Sequence, residues 1–186
     1  MTEQTSELDQ AIAQRLEPWT ARLGADRKAY FHHVLRVLRL ADLLFARTGE
    51  PGPAPSAREE FRAAATFHDL GIWAAGTFDY LEPSCALAGD WLIAQRREDL
   101  TEVVAAMIRD HHRLRATGGA ADPTELFRRA DLIDVTCGAR RFGLPYSAYA
   151  ALLRRYPDSG FHWKLADLTV RRTLIHPLSP LPMIRW

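Results

Sequence analysis

Apolar residues recur at intervals of three and four positions along most of the chain, a spacing that places them on one face of an α-helix. The pattern is clearest over residues 27–48, where the apolar face runs from Tyr30 to Phe45 and Gly49 follows as a stop signal. No segment shows the strict apolar–polar alternation that is typical of a half-buried strand. The pattern therefore predicts an all-α fold, a single-domain compact bundle of about seven to eight helices.

Capping and helix-breaking residues set the expected bounds of these helices. Ser6 is a candidate cap for a first helix over residues 7–23, and Pro18 is a candidate break within it. Further helix starts are indicated by Ser84 and by three capping boxes, Ser56–Glu59, Asp99–Glu102 and Asp122–Glu125. Gly71 indicates a helix end. Two more helices fit residues 146–155 and 161–175, and the proline-rich tail after them is expected to be extended.

The sequence contains no linker and no shift in composition that would divide the chain into separate domains. We expect one domain over residues 1–186, with a motif core at about 28–140 and C-terminal helices and tail over 141–186. In the tail, Pro177, Pro180, Pro182, Ile184 and Trp186 could cover a core or form a homodimer contact.

The composition of the chain argues against several classes of function. The 186 residues carry 24 basic and 23 acidic side chains, a net charge of +1, so no strong field attracts a nucleic acid polymer or an anionic membrane. No apolar run approaches the ~20 residues that span a bilayer, and the polar N-terminus does not resemble a signal peptide. We expect a cytoplasmic protein in which Cys85 and Cys137 are buried, reduced thiols.

Three histidines on separate predicted helices point to the core. His33 shares the apolar face of its helix, His68 follows an alanine-rich apolar run, and His111 follows a third apolar face. One inward histidine is usually a hydrogen-bonded core residue, but three buried imidazoles each need a polar partner in apolar surroundings. His162 and His176 lie far from these helices and are expected to be structural or exposed.

Carboxylates accompany these histidines. Asp69 directly follows His68 at a helix end, and Asp131 and Asp134 lie on a helix whose apolar residues face inward. Acidic side chains are rarely buried unless they are paired or bind a metal. Asp134, one turn after Asp131, could form a hydrogen bond with a ligand histidine, or it could be a capping or salt-bridged structural residue. Imidazole nitrogens and carboxylate oxygens together suit a divalent metal ion. Because these residues are far apart in sequence, only helix packing can bring them to one centre.

The order of these residues resembles the H…HD…D pattern of the HD-domain superfamily of metal-dependent phosphohydrolases. His33-Val-Leu-Arg-Val, His68-Asp69-Leu-Gly and Ala-Asp131-Leu-Ile-Asp carry the resemblance, which covers roughly residues 28–140. It implies that His33, His68, Asp69 and Asp131 ligate a divalent ion, which could be Mn, Fe, Co, Ni, Zn or Mg. It also implies a catalytic role beside the metal for Asp69 and for His111.

One departure from the pattern bears on the number of metal ions. Two-metal members have a further histidine between the HD pair and His111, and residues 70–110 contain none. The corresponding stretch holds Ser84 and Cys85 instead. We therefore expect a mononuclear centre, with His112 or Asp79 as the candidates for a substitute ligand and His112 as a further catalytic candidate.

A phosphate ester needs cationic partners, and Arg36 and Arg113 are the candidates by their proximity to His33 and His111. Arg115, Arg140 and Arg141 are weaker candidates. Tyr80, and less specifically Trp73, lie on the segment after the HD pair and could line a substrate pocket.

Three functions remain open. The first is hydrolysis of a small phosphate ester or nucleotide by metal-activated water. The second keeps the metal but hydrates a small nitrogen compound, as some members of the superfamily do, and an apolar, arginine-poor pocket would favour it. The third is a degenerate domain that binds a ligand without catalysis.

Overall fold

The computed structural model describes residues 6–179 and 181–184, and these residues form α-helices and short 3-10 turns with no strand. In chain order the helices are α1 (Glu7–Leu16), α2 (Thr20–Leu23), α3 (Arg27–Ala46), α4 (Glu59–Phe67), α5 (Gly71–Ala74), α6 (Leu81–Ala94), α7 (Thr101–Asp110), α8 (Pro123–Val135), α9 (Tyr146–Arg155) and α10 (Phe161–Ile175). Because α2 and α5 are single turns of four residues, eight longer helices remain in the described part, and the predicted all-α fold is confirmed.

Helix α3 is the centre of the architecture. It makes its largest contact with α8 and also packs against α1, α4 and α9. The predicted apolar face explains this position, since Tyr30, Val34, Val37, Leu38 and Ala41 are all fully buried. Helix α7 packs on α4, α6 and α8. The ends of α3, α4, α7 and α8 therefore converge on one region of the interior.

The predicted start signals succeed at two helices. The Ser6 hydroxyl oxygen accepts a hydrogen bond from the Asp9 amide at 3.2 Å and caps α1. Asp122 caps α8 by accepting from the Glu125 amide at 3.0 Å, with Pro123 in the first position. Both caps satisfy amides that have no partner within the first helical turn.

Three other start signals are wrong. Ser56 and Asp99 lie in the 3-10 turns Pro55–Ala57 and Glu98–Leu100, and the helices that follow them have no side-chain cap. Ser84 lies inside α6, where its hydroxyl accepts a hydrogen bond from the Gly71 amide at 3.0 Å. Pro18 does interrupt the first predicted helix, because a 3-10 turn over Glu17–Trp19 separates α1 from α2.

Gly71 does not end a helix as predicted. Helix α4 ends at Phe67, and Gly71 begins α5. A side chain at this position would lie 2.7 Å from the Tyr80 carbonyl oxygen and 2.8 Å from the Ser84 hydroxyl. Glycine therefore allows the start of α5 to pack closely against the start of α6, just after the HD pair.

The cysteine prediction is half correct. Cys85 is buried, but Cys137 is exposed because it lies beyond the end of α8 in a turn with a positive φ of 51°. Both cysteines are free thiols.

The described part of the tail is not helical. Met183 is buried against Ile72, Tyr80 and Leu81, so this part of the tail returns to the body of the fold. Pro180 and Trp186, which the tail prediction included, lie outside the described residues. Within the part of the chain that is described, no helix combines the length and the apolar character that a membrane span requires.

Candidate metal centre

Four side chains meet where α3, α4 and α8 converge. His33 comes from α3, His68 and Asp69 from the turn after α4, and Asp131 from α8. The Nε2 atoms of His33 and His68 are 2.9 Å apart, and Asp131 Oδ1 lies 3.5 Å from the first and 3.6 Å from the second. Asp69 Oδ2 lies 3.8 Å and 3.5 Å from the same two nitrogens. Two ligands about 2.1 Å from one ion and at right angles to each other are about 3.0 Å apart, so these spacings suit a shared cation.

Each histidine is held through its other ring nitrogen. His33 Nδ1 donates to Asp134 Oδ2 at 2.7 Å, and His68 Nδ1 donates to the Ala65 carbonyl at 2.9 Å. His111 Nδ1 donates in the same way to the Ile108 carbonyl at 2.7 Å. A proton fixed on Nδ1 leaves the Nε2 lone pair directed at the centre, which is the arrangement that metal-binding histidines need.

The electrostatics of the four residues reflect mutual contact. Burial disfavours the charged form of His68, but Asp69 and Asp131 outweigh it and raise its pKa to about 9. Burial would raise the pKa of both carboxyl groups, but the neighbouring histidines lower the pKa of each, that of Asp69 most strongly. The centre therefore holds two carboxylates that are negatively charged at neutral pH.

Several polar atoms at the centre lack a protein partner. Asp69 Oδ1, both carboxylate oxygens of Asp131 and His111 Nε2 are buried and form no hydrogen bond with the described residues. Unpartnered buried polar atoms are costly, and a set of them facing one point requires an explanation. The donor set of imidazole nitrogens and carboxylate oxygens fits a divalent ion, and such an ion would supply the missing partners.

Asp134 and Arg36 form a buried pair behind His33. The Arg36 guanidinium donates from Nε to Asp134 Oδ1 at 2.7 Å and from Nη2 to Asp134 Oδ2 at 2.8 Å. Its Nη1 donates to the Tyr156 carbonyl at 2.9 Å. Burial raises the pKa of Asp134, but the bonds from His33 and Arg36 overcome this and lower it to about 2. Asp134 therefore acts as a charged acceptor that orients His33.

The structure corrects the interpretation of Arg36 as a substrate-binding residue. Its side chain is 0% exposed, is paired with Asp134 and does not line the pocket beside the metal centre. Because Arg36 is three residues after His33, it shares the buried face of α3 and not a face that solvent can reach.

A model of the HD domain family matches residues 30–139, more than half of the chain, and the range includes all four converging residues. The chain belongs to the HD domain family. This confirms the resemblance found in the sequence, and it places the protein among domains that bind divalent metals and are mostly metal-dependent hydrolases. Comparison with curated proteins and comparison with solved structures gave no match.

Next to the four residues, this HD domain has a second group of polar side chains. His111 Nε2 lies 3.5 Å from Asp69 Oδ1, and His112 Nδ1 lies 3.8 Å from Asp131 Oδ2. The Tyr80 hydroxyl and His112 Nε2 share a hydrogen bond of 2.8 Å. Burial lowers the pKa of His112 to about 3, with a further contribution from His111, so its ring is neutral at neutral pH.

Among the residues that the structure describes, two overlapping groups could each hold an ion. One is His33, His68 and Asp69, and the other is Asp69, His111 and His112. Asp69 belongs to both. Of the two candidates for a substitute ligand, His112 is therefore at the centre, whereas Asp79 is exposed and belongs to neither group. The segment that corresponds to the family's further histidine contains Ser84, whose hydroxyl accepts a hydrogen bond from the Gly71 amide. Ser84 therefore has a structural role in this segment.

A pocket opens from the second group to solvent. It has a volume of about 330 Å³, and Asp69, Tyr80, His111 and His112 form the end nearest the centre. Arg113, a predicted substrate-binding residue, lines it, as does the exposed Arg140. Trp73 does not line the pocket, because it packs on Tyr30 and its Nε1 donates to Asp26.

Two contacts from α10 at the centre are not evident from the sequence. The Phe161 ring stacks on the His33 ring at 3.9 Å between centroids, and His162 Nε2 donates to the Asp134 carbonyl at 2.8 Å. The structural role predicted for His162 agrees with this contact. Phe161 carries no signal beyond its apolar character, so only the packing of α10 against α3 reveals its place beside the metal centre.

Proposed function

We propose that this HD domain is a metal-dependent phosphohydrolase that acts on a small phosphate ester. The observation that carries the proposal is the pair of Nε2 atoms of His33 and His68, 2.9 Å apart, with Asp69 and Asp131 each 3.5–3.8 Å from both, beside a pocket with two arginines. These four residues would hold a single divalent ion. Such an ion lowers the pKa of a bound water and polarises a phosphoryl oxygen.

The surrounding residues have distinct tasks in this reaction. Asp69 Oδ1 and His111 Nε2 are 3.5 Å apart and unpartnered, so they can orient a water between them and move its proton. The guanidinium groups of Arg113 and Arg140 can bind the phosphate from the solvent side. His112, held by Tyr80, would form a hydrogen bond with the substrate at the same end of the pocket.

The second candidate is hydration of a small nitrogen compound, and the largely apolar pocket wall favours it. Two arginines in the same pocket favour a phosphate-bearing substrate. Metal-loaded protein incubated with acetonitrile would form acetamide if the second candidate were correct, whereas we expect no amide.

Metal content and phosphate release test the proposal together. Protein reconstituted with Mn²⁺ at pH 7–8, where the metal can displace the proton of a ligand histidine, should retain well above about 0.2 metal per chain. It should release phosphate from at least one member of a panel of phosphate monoesters and nucleotides. Failure to retain any divalent metal would overturn the proposal and would favour the non-catalytic alternative.

A ligand variant gives the first prediction. Asp69→Ala removes an oxygen shared by the metal and the water site, so metal content and activity should both fall to background while the helical fold remains. His176→Ala is the control, since His176 is exposed beyond α10 and should leave both unchanged. Elemental analysis, phosphate release and circular dichroism are the measurements, and full metal content in Asp69→Ala would refute the ligand assignment.

A further inference from the structure

The pocket changes character between its inner end and its wall. Its polar lining residues are Asp69, His111 and His112 at the end nearest the metal centre, together with Arg113 and Arg140. The rest of the wall is apolar and consists mainly of Leu132, Val135, Leu165, Leu181, Met183 and Ile184. A ligand that fills the pocket therefore meets polar groups at one end and hydrocarbon along its length.

The wall offers few partners to a polar ligand. Apart from the metal-centre group and the two arginines, Thr169 is the one described lining residue with a polar side chain. The Thr169 hydroxyl already donates to the Leu165 carbonyl at 2.8 Å within α10. A sugar or a nucleobase would bury several donors and acceptors without hydrogen bonds, which is costly. An apolar group loses nothing there and gains from leaving water.

Most of the apolar wall lies outside the matched HD domain, although Leu132 and Val135 belong to it. Leu165 and Thr169 belong to α10, and Leu181, Met183 and Ile184 belong to the tail, all outside residues 30–139. Met183 is buried against Ile72 and Tyr80, which holds the tail beside the pocket. At about 330 Å³ the pocket is at the small end of the range for ligand sites, about 300–1,000 Å³.

We infer that the non-reacting part of the substrate is a small apolar group, and that the tail segment 181–184 selects it. With the proposed function, which supplies only the reacting end, the substrate class is a phosphate monoester of a small apolar alcohol or phenol. In its hydrolysis the water oxygen forms a bond to phosphorus and the ester P–O bond breaks. The alcohol oxygen leaves with one proton of the water, and inorganic phosphate is the other product.

Binding of alkylphosphonates tests the inference without requiring catalysis, because their C–P bond is not hydrolysed. Calorimetry with Mn²⁺-reconstituted full-length protein would compare methyl-, butyl- and hexylphosphonate. Each methylene that enters the apolar wall should raise the affinity about two- to fourfold. Equal affinity for the methyl and hexyl compounds would overturn the inference.

Variants in the tail test whether segment 181–184 selects the apolar group of the substrate. Leu181→Gln and Ile184→Asn replace wall side chains that are each 37% exposed, so the fold should tolerate both. They should lose most of the gain from methyl- to hexylphosphonate and keep metal content and methylphosphonate affinity. Leu178→Gln is the matched control, since Leu178 is 99% exposed in the same tail and does not line this pocket. Unchanged hexylphosphonate affinity in both wall variants would refute the role of the tail.

Hydrolysis separates this inference from the proposed function. Hexyl phosphate should be cleaved with a kcat/KM at least about tenfold above that of AMP or glucose 6-phosphate. If AMP were cleaved equally well, the inference would fail and the proposed function would stand. If alkylphosphonates bound with the expected dependence on length but no phosphate ester were cleaved, the proposed function would fail and the apolar selection would stand.

Discussion

Three histidines at the centre, His33, His68 and His111, are each oriented by a single hydrogen bond from Nδ1. For His33 the acceptor is the Asp134 carboxylate, which Arg36 holds with two further bonds. For His68 and His111 the acceptors are backbone carbonyls three residues earlier. His33 is therefore the histidine whose orientation a side-chain substitution can change directly.

We predict that Asp134→Asn weakens metal binding. The substitution removes the charge that both His33 and Arg36 contact, and loss of such a support to a ligand typically costs about 10- to 100-fold in metal affinity. Titration of chelator-treated protein with Mn²⁺ or Zn²⁺ measures the effect. Asp42→Asn is the control, since Asp42 bonds the Ser56 amide at the other end of α3. Wild-type affinity in Asp134→Asn would contradict the prediction.

At this scale the sequence predicts inward-facing residues well and their partners poorly. Helical periodicity placed His33, His68 and Asp131 inside, and the structure brings them together. The same periodicity could not show that Arg36 pairs with Asp134. The partner of a buried cation depends on the packing of a second helix, and sequence spacing along one helix contains no such information.

At the scale of elements, the first turn of α8 is tied to the segment before it by Glu125. This buried carboxylate accepts from Arg128 through two bonds of 2.8 Å and from the Thr117 amide at 2.9 Å. Arg128 in turn donates to the Arg113 carbonyl at 3.1 Å. The network therefore fixes α8, which carries Asp131, relative to the segment that carries Arg113.

Glu125→Gln should change how stability depends on pH. Burial raises the pKa of Glu125, but bonds from Arg128, Thr117 and Arg129 lower it from 4.5 to about 2. A lowered folded-state pKa means that the charge stabilises the fold above pH about 4.5 and that this stabilisation disappears as the pH falls towards about 2. The variant should therefore be less stable than wild type by about 2 kcal/mol at pH 7, and the difference should shrink below pH 4.5.

Urea unfolding at pH 7, 5, 4 and 3 measures this difference. Glu102→Gln, at an exposed position in α7, is the matched control and should cost little at any pH. A difference for Glu125→Gln that stayed constant down to pH 3 would show that its charge does not stabilise the fold.

The two confirmed caps and the wrong start signals show what sequence can predict about elements. Ser6 and Asp122 cap because the residue before the helix is extended, with ψ of 157° and 132°. Before α4 the extended residue is Arg58, with ψ of 136°, so Ser56 lies two residues earlier in a 3-10 turn. Helix α7 follows directly from the 3-10 turn that contains Asp99. A capping box in the sequence identifies side chains that are able to cap a helix. It does not predict the backbone conformation before the helix, which depends on the packing of the preceding turn.

At the scale of the whole molecule, the metal centre joins helices that are far apart in sequence. His33 and Asp131 are nearly one hundred residues apart, and α10 covers His33 through Phe161. An ion bound by α3, α4 and α8 would therefore act as a crosslink between them. Binding to the folded state alone shifts the folding equilibrium towards that state.

Removal of metal should lower the thermal stability of the protein. With free metal at about one hundred times Kd, binding adds about 2.7 kcal/mol to the free energy of unfolding. Thermal unfolding with EDTA and with added Mn²⁺ should differ by several degrees in Tm. Asp69→Ala should show the same Tm under both conditions, and a metal-independent Tm in the wild type would contradict binding at this centre.

The buried charges around the centre have a consequence for ion valence. Asp69, Asp131 and Asp134 bring three negative charges and Arg36 one positive charge, so two negative charges remain uncompensated once a metal has displaced the protons of its histidine ligands. A doubly charged ion restores electroneutrality among these buried side chains. Sodium or potassium would leave a residual anion there, and a trivalent ion a residual cation. Valence, and not only ligand geometry, should therefore decide which ions this protein accepts.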